Sequence, residues 1–133
     1  PFDMWSELSE TLNENNIFTI YLAAPSTTDA RLKKIIKYSH GFVYYISSFG
    51  VTGGRKFSEN LKTRVKTVKK MGDKPVCVGF GISNPQTAKQ ISSLCDGVIV
   101  GSAFMKIIQE GKPDMLEKIL QFTRSMVQSV KCK

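Results

Sequence analysis

Two kinds of apolar pattern alternate along this chain. Nearly continuous apolar runs, such as IFTIYLAA at 17–24 and FVYY at 42–45, have the length and the β-branched and aromatic content of strands covered on both faces. Between these runs, apolar residues recur every three or four positions among polar and basic ones, which is typical of amphipathic helices. The pattern predicts four strands, at about 17–24, 42–47, 76–80 and 97–101.

Helical spacing precedes the first predicted strand, over residues 1–15, and follows every strand, ending with a helix at 113–130. Strict alternation of apolar strands and helices predicts a parallel sheet with right-handed crossovers. Four such units are half of an eight-stranded β/α barrel, which needs about 250 residues. An open sheet would leave the first strand as an apolar edge, which soluble proteins avoid. We therefore expect the 133-residue chain to be a single domain, residues 1–133, forming the C-terminal half of such a barrel.

Capping residues mark where the predicted helices begin. Thr27 or Thr28 precedes the helix after the first strand, and Ser58 is the candidate cap of the helix after the second. Pro85 occupies a first-turn position, where helices tolerate proline. A short helix is expected at 103–109, before the final one.

Glycine and serine follow three of the predicted strands, in ISSFGVTGG at 46–54, VCVGFGIS at 76–83 and GVIVGSA at 97–103. The carboxyl ends of parallel strands share one edge, where ligands of β/α folds bind. Glycine lets backbone N–H groups approach a phosphate, and a following helix N-terminus adds further donors. Each loop alone is also compatible with a simple turn, but three on one edge predict a phosphate site. Tyr44 and Phe80 are either core aromatics or walls of that site.

The formal net charge of +8 permits anionic partners, including nucleic acid. The basic residues, however, lie in segments with helical spacing, such as 31–37 and 62–70. We interpret them as solvated helix faces and predict no nucleic-acid binding. No apolar run approaches the roughly 20 residues of a membrane span. No membrane association is therefore expected.

Groups for nucleophilic or metal chemistry are sparse. Cys77, Cys95 and Cys132 form neither a disulfide framework nor a metal-ligand spacing, so no metal site is predicted. Cys77 and Cys95 lie in or beside apolar runs, which indicates buried thiols and a reducing, cytoplasmic setting. His40 precedes a strand at the end away from the expected site and is interpreted as structural.

Carboxylates are likewise missing from the predicted carboxyl ends of the strands. Asp29, Asp73 and Asp96 are expected in helices or at the opposite edge of the sheet. The sequence therefore predicts binding without the groups for acid–base catalysis.

Three segments together resemble the α chain of tryptophan synthase: GFVYYISSFGVTGGR, VCVGFGISNPQTAKQI and DGVIVGSAFMKII. The similarity covers nearly the whole chain and corresponds to the second half of that subunit. It implies a (β/α)8 TIM barrel of which the last four β/α units are present. It also implies a lyase that cleaves indole-3-glycerol phosphate to indole and glyceraldehyde 3-phosphate, in tryptophan biosynthesis.

The resemblance also implies roles for individual residues. Those that would bind the substrate phosphate are Gly53, Gly81, Gly101 and Ser102. Those that would line the pocket around the indole and glycerol are Tyr44, Ile46, Gly79 and Phe80. Thr52 would hydrogen-bond a catalytic aspartate when its loop closes over the substrate.

The family's catalytic glutamate and aspartate would lie in the other half of the subunit, so this segment alone is expected to be inactive. No cofactor is expected in this chain, because pyridoxal phosphate belongs to the partner β chain of an α2β2 complex. An isolated segment could also associate with itself through its open sheet edges. The alternative is another phosphate-binding β/α-barrel enzyme, of sugar-phosphate or amino-acid biosynthesis.

Overall fold

The computed structural model describes residues 3–47, 55–79 and 81–131 of the chain. Four parallel strands form one sheet in the order β1-β2-β3-β4, as the alternating pattern predicts. The elements are α1 (Asp3–Glu14), β1 (Leu22–Ala23), α2 (Asp29–Tyr38), β2 (Val43–Ile46), α3 (Arg55–Met71), β3 (Val76–Gly79), α4 (Pro85–Ser92), β4 (Gly97–Ile99), α5 (Ser102–Gln109) and α6 (Met115–Lys131). The short helix expected before the final one is present as α5.

The two faces of the sheet differ in burial. Side chains alternate across a strand, and in β2 buried Val43 and Tyr45 alternate with half-buried Tyr44 and Ile46. The buried set packs against the helices. The other set faces the side that would be the interior of a barrel. The register pairs Tyr44 with Cys77 on this second face.

The core lies between the sheet and its helices. The predicted apolar stripes are confirmed: α2 and α3 each turn three buried aliphatic side chains toward the strands, and α4 and α6 add others. These helix residues are Leu32, Ile35, Ile36, Leu61, Val65, Val68, Ala88, Ile91 and Met126. Burial of each large aliphatic side chain contributes about 1.5–3 kcal/mol relative to exposure. This single layer of contacts holds the four β/α units together.

Two helix starts follow the capping prediction and one does not. The Thr28 hydroxyl accepts from the N–H of Arg31 at 3.4 Å, and α4 begins at Pro85 behind the Asn84 cap. The prediction that Ser58 caps the third helix is wrong, because α3 already begins at Arg55. Arginine and lysine are good helix formers, so the helix extends one turn further toward the N-terminus.

The first predicted strand is shorter and more exposed than its apolar run suggests. Only Leu22–Ala23 pairs with β2, and the prediction of coverage on both faces of 17–24 is wrong. The side chains of Phe18 and Leu22 are 64% and 53% exposed. The reason is position: β1 is an edge strand, and its interior-facing side chains have no opposite wall among the described residues.

Exposed apolar side chains concentrate in the first and last elements of the chain. One group belongs to α1 and the approach to β1, and comprises Leu8, Ile17, Phe18, Ile20 and Leu22. The other belongs to α5 and α6, and comprises Met105, Ile108, Leu116, Leu120 and Val127. We call these groups the first and the second flank. They are the surfaces that half of an eight-stranded barrel would turn toward its other half.

Within the described ranges, no helix is both long enough and apolar enough to cross a membrane.

Candidate functional site

A cavity of about 380 Å³ opens at the carboxyl ends of β2, β3 and β4. This size lies within the range of small-molecule sites. Four of the residues that the sequence singles out line it: Tyr44, Gly81, Gly101 and Ser102. Ile82 and Ile99 complete the described lining.

The turn after β3 brings backbone to the cavity. Gly81 has φ +76°, in the left-handed region that favours glycine, and it is exposed. The next residue, Ile82, is 2% exposed and anchors the turn in the core. Asn84 then caps α4, accepting from the N–H of Thr87 at 2.8 Å. The chain therefore presents the bare backbone of Gly81 directly before two anchored positions, the buried Ile82 and the Asn84 cap.

The turn after β4 brings a helix N-terminus to the same cavity. Gly101 is the cap residue of α5 and supplies no side chain to bond the first turn. A Cβ placed on Gly101 would meet nothing within 4 Å, so the approach to its backbone is open. The N–H of Met105 bonds Gly101 O at 3.1 Å, and the N–H groups before it in the helix have no acceptor inside the helix. These donors, together with the exposed Ser102, suit an anion.

Tyr44 lines the cavity because Gly79 makes room for it. A Cβ on Gly79 would overlap the hydroxyl and ring atoms of Tyr44. Gly79 itself is buried and lies in contact with the tyrosine ring, outside the described lining of the cavity. Ile46 is half-buried on the same strand face and also lies outside this lining.

Ser47 joins the carboxyl ends of β2 and β3. Its backbone N–H donates to Gly79 O at 3.0 Å, and its hydroxyl donates to the same oxygen at 3.1 Å. Ser47 is not among the residues that the sequence predicts for the site, although a small polar residue directly after a buried apolar run was a signal. Ile82 and Ile99 were not predicted either, although alternation and position beside the glycines could have indicated them.

Three of the predicted residues, Thr52, Gly53 and Phe80, lie outside the described residues. Their roles stay predictions.

The described cavity lining contains no carboxylate, thiol or imidazole. His40 lies at the opposite edge, with its ring centroid 5.5 Å from that of Phe18 and its Nδ1 3.4 Å from the Thr19 hydroxyl. Asp96 is also at that edge, where one carboxylate oxygen accepts from the N–H of Val76 at the start of β3. In the part of the chain that the structure describes, no three metal-ligating side chains cluster.

The two described cysteines are not activated nucleophiles. Cys95 is buried as expected, whereas Cys77 is only half-buried, since it faces the open side of the sheet. Burial raises the pKa of the Cys95 thiol above its usual range. Burial, and then the Asp96 carboxylate, raise the pKa of the Cys77 thiol. Both thiols are protonated at neutral pH, and neither lines the described part of the cavity.

Comparison with known proteins identifies relatives over almost the whole chain. The family profile described as "Tryptophan synthase alpha chain" matches residues 1–131. The tryptophan synthase alpha chain of Petrotoga mobilis is 43% identical over 130 residues, which are 95% of this chain and 50% of the relative. That of Leptospira biflexa is 44% identical over 117 residues, which are 86% of this chain and 44% of the relative.

A solved structure agrees with the fold. The crystal structure of tryptophan synthase subunit alpha from Legionella pneumophila superposes with a TM-score of 0.82 at 31% identity. The match covers 98% of this chain and 48% of that one. The chain thus spans about half the length of the relatives it matches, and its four parallel strands are half of a TIM barrel.

Proposed function

Because the chain belongs to the tryptophan synthase alpha chain family, we propose that it supplies substrate-binding loops to an indole-3-glycerol-phosphate lyase. The whole protein would cleave this substrate to indole and glyceraldehyde 3-phosphate in tryptophan biosynthesis. One observation carries the proposal: a single cavity combines open glycine backbone and a helix N-terminus with aromatic and aliphatic walls. An amphiphilic phosphate ester requires this combination of surfaces.

The phosphate would bind at the glycine side of the cavity. Gly81 and Gly101 line this side, the space beside Gly101 is open, and Ser102 adds a hydroxyl at the first turn of α5. The partial positive charge of the helix N-terminus favours a dianion there. Gly53 would complete the phosphate site from the loop after β2.

The indole and the glycerol chain would lie along the apolar side. Tyr44, Ile82 and Ile99 provide its described walls. The absence of a side chain at Gly79 leaves room for the tyrosine ring, and Ile46 and Phe80 would extend the pocket. Exclusion of water from this side would strengthen the polar interactions at the reacting bond.

The reaction is a retro-aldol cleavage, in which the bond between indole C3 and the glycerol chain breaks. The carboxylates that assist it would come from the other half of the subunit, so the 133-residue chain alone would be inactive. Thr52 would bond one of those carboxylates when its loop closes. The residues of this chain bind and orient the substrate so that the reacting carbon meets those groups.

The whole subunit would work in the cytoplasm with a tryptophan synthase beta chain, in an α2β2 heterotetramer. It would pass indole to that partner, where pyridoxal phosphate supports the condensation with serine. No cofactor is proposed for this chain.

Titration of the 15N-labelled chain with indole-3-propanol phosphate, a substrate analogue that cannot be cleaved, tests the binding role. We expect the backbone amide signals of Gly81, Gly101 and Ser102 to shift. Gly41 and Gly111 are matched controls, because both are positive-φ glycines outside the cavity, and their signals should stay in place.

Ribose 5-phosphate, titrated in parallel, separates indole-glycerol recognition from general sugar-phosphate binding. Affinity for the ribose ester equal to that for the indole ester would contradict the proposal. Incubation with indole-3-glycerol phosphate should release no indole, and turnover by the pure chain would contradict the proposed location of the catalytic carboxylates.

A further inference from the structure

We propose that Ser47 is a positioning residue, which fixes the turn after β3 so that Gly81 and Ile82 face the ligand. This inference rests on the proposed function, because it concerns the same cavity. It assigns a role to a residue that does not itself line the described part of that cavity.

The environment of Ser47 is unusual for its residue type. Serine is mostly exposed in proteins, but Ser47 is 1% exposed and directly follows β2. A buried hydroxyl is retained at low cost only when it is hydrogen-bonded. Here its bond runs to Gly79 O, on the neighbouring strand.

The second bond to Gly79 O is specific to the side chain. Any residue other than proline at position 47 would donate its backbone N–H, as Ser47 does at 3.0 Å. Only a hydroxyl adds the bond at 3.1 Å, so that one carbonyl oxygen accepts from two donors. Two donors on one oxygen fix the orientation of the peptide plane that follows Gly79, more firmly than one donor would.

The Gly79 carbonyl belongs to the last residue of β3 before the chain reaches the cavity. Gly79 ends β3, and two residues later Gly81 turns through φ +76° to expose its backbone. Gly81 is permissive at this dihedral, so its own conformation does not set the direction of the turn. Among the described residues, the fixed points on either side of Gly81 are the Gly79 carbonyl and the buried side chain of Ile82.

Ser47 also connects the two walls of the cavity. It lies three residues after Tyr44, directly after β2, and its hydroxyl donates to Gly79 O on β3, the glycine that contacts the tyrosine ring. Loss of the hydroxyl bond would therefore loosen the spacing between Tyr44 and the turn at Gly81. Even a small displacement of the groups that contact a ligand weakens binding in a preformed site.

The chain contains a matched control. Ser39 is also 1% exposed and also links two adjacent segments, since its hydroxyl oxygen accepts from the N–H of Tyr21 at 3.3 Å. It lies before β2, at the opposite edge of the sheet from the cavity. Ser39→Ala removes a comparable buried hydroxyl without touching the proposed site.

The experiment compares the wild-type chain with Ser47→Ala, Ser47→Thr and Ser39→Ala. Calorimetry gives the Kd for indole-3-propanol phosphate at a temperature well below each melting point. We expect Ser47→Ala to weaken binding about tenfold, which corresponds to the loss of one buried hydrogen bond. Ser47→Thr, which keeps the hydroxyl, should recover most of the affinity. Ser39→Ala should lower the melting temperature but leave the Kd unchanged.

Two outcomes overturn the inference. One is a Ser47→Ala variant that binds as tightly as the wild type. The other is an equal weakening in Ser39→Ala, which would show a general effect of stability. Absence of binding by the wild type would instead contradict the proposed function.

Amide spectra of the ligand-free variants judge the positioning role separately. Displacement of the Gly81 and Ile82 signals in Ser47→Ala, with recovery in Ser47→Thr, supports it whatever the wild type binds. Unmoved signals at both residues in Ser47→Ala overturn it.

Discussion

The side chain of Tyr44 occupies the space that a side chain at position 79 would need. Gly79 therefore determines where the tyrosine ring lies, and through it the shape of one cavity wall. The two residues sit on neighbouring strands and act as one unit. Their relationship explains why a buried glycine stands at the end of an apolar strand, where it contributes no packing of its own.

Gly79→Ala is expected to destabilise the chain by about 1–3 kcal/mol, because the added methyl group overpacks against Tyr44. Urea unfolding measures the loss. In the double variant with Tyr44→Ala, the methyl group has space, so the two effects should not add. Additive losses would mean that the methyl group meets an obstacle other than the tyrosine.

Gly101→Ala should weaken ligand binding with little loss of stability, unlike Gly79→Ala. Its added methyl group meets open space, and the cost at a helix cap stays below about 2 kcal/mol. The same methyl group would stand between the phosphate and the first turn of α5, so affinity for indole-3-propanol phosphate should fall about tenfold or more. Calorimetry and urea unfolding on one sample give both values. Unchanged affinity would exclude this glycine from the phosphate site.

Asp96 stabilises the start of β3 from the edge opposite the cavity. It accepts from the N–H of Val76 at 2.9 Å and pairs with the Lys69 ammonium at 2.6 Å. Asp96→Ala should cost about 1–3 kcal/mol, because the buried Val76 loses an acceptor for its N–H group. Lys69→Met should cost less than about 1 kcal/mol, since that ion pair is partly exposed and screened. If urea unfolding shows that Asp96→Ala and Lys69→Met lose equal stability, the hydrogen bond to Val76 is not the larger contribution of Asp96.

Stability should decline in alkaline solution. Burial raises the pKa of the Cys95 thiol in the folded chain, whereas the unfolded thiol titrates near its usual value of about 8.5. The stabilisation is fully present below that unfolded value. It is lost as pH rises toward the folded pKa, because only the unfolded state releases the proton in this interval.

The variant Cys95→Ser tests this, because a serine hydroxyl does not titrate in the interval. The free energy of unfolding, measured by urea at pH 7.5 and 10, should fall less in the variant than in the wild type. The raised pKa values of Cys77 and Tyr45 add alkaline sensitivity that both proteins share. An equal fall in the free energy of unfolding of both proteins would show that Cys95 does not cause the alkaline loss of stability.

The second flank should make the isolated chain associate. Leu116 and Leu120 are 70% and 54% exposed and lie one turn apart on α6. Exposed apolar groups of this kind mark surfaces that bind other protein. Sedimentation velocity should show concentration-dependent association, which Leu116→Gln with Leu120→Gln reduces without loss of stability. A wild-type chain that stays monomeric at high concentration would contradict this expectation.

The periodic pattern of the sequence was sufficient to predict most of the fold. Leu32, Ile35 and Ile36 recur at helical spacing and are buried as expected, because a helix packed on a sheet hides one stripe. The prediction of coverage on both faces at 17–24 was wrong, because apolar content alone does not distinguish a strand covered on both faces from one at an open edge. The start of α3 was misplaced, because Ser58 has the chemistry of a cap but the preceding residues also favour helix.

For the site, local chemistry predicted which backbone would be open but not which side chains would meet across strands. Gly81 and Gly101 were identifiable because glycine after an apolar strand leaves its backbone N–H accessible at the carboxyl edge of the sheet. The bond from Ser47 to Gly79 joins residues far apart in sequence, and only the register of β2 against β3 brings them together. Such contacts depend on the assembled sheet and have no signature within one segment.

The alternation of Val43 and Tyr45 with Tyr44 and Ile46 separates two kinds of constraint along one short strand. Odd positions are buried in the hydrophobic core under the helices, so their substitution would lower the stability of the whole chain. Even positions face the open side of the sheet, where the proposed site lies, and can change without disrupting that core. In a strand with this alternation, related proteins could differ in the residues that face the proposed site and still keep the same buried core.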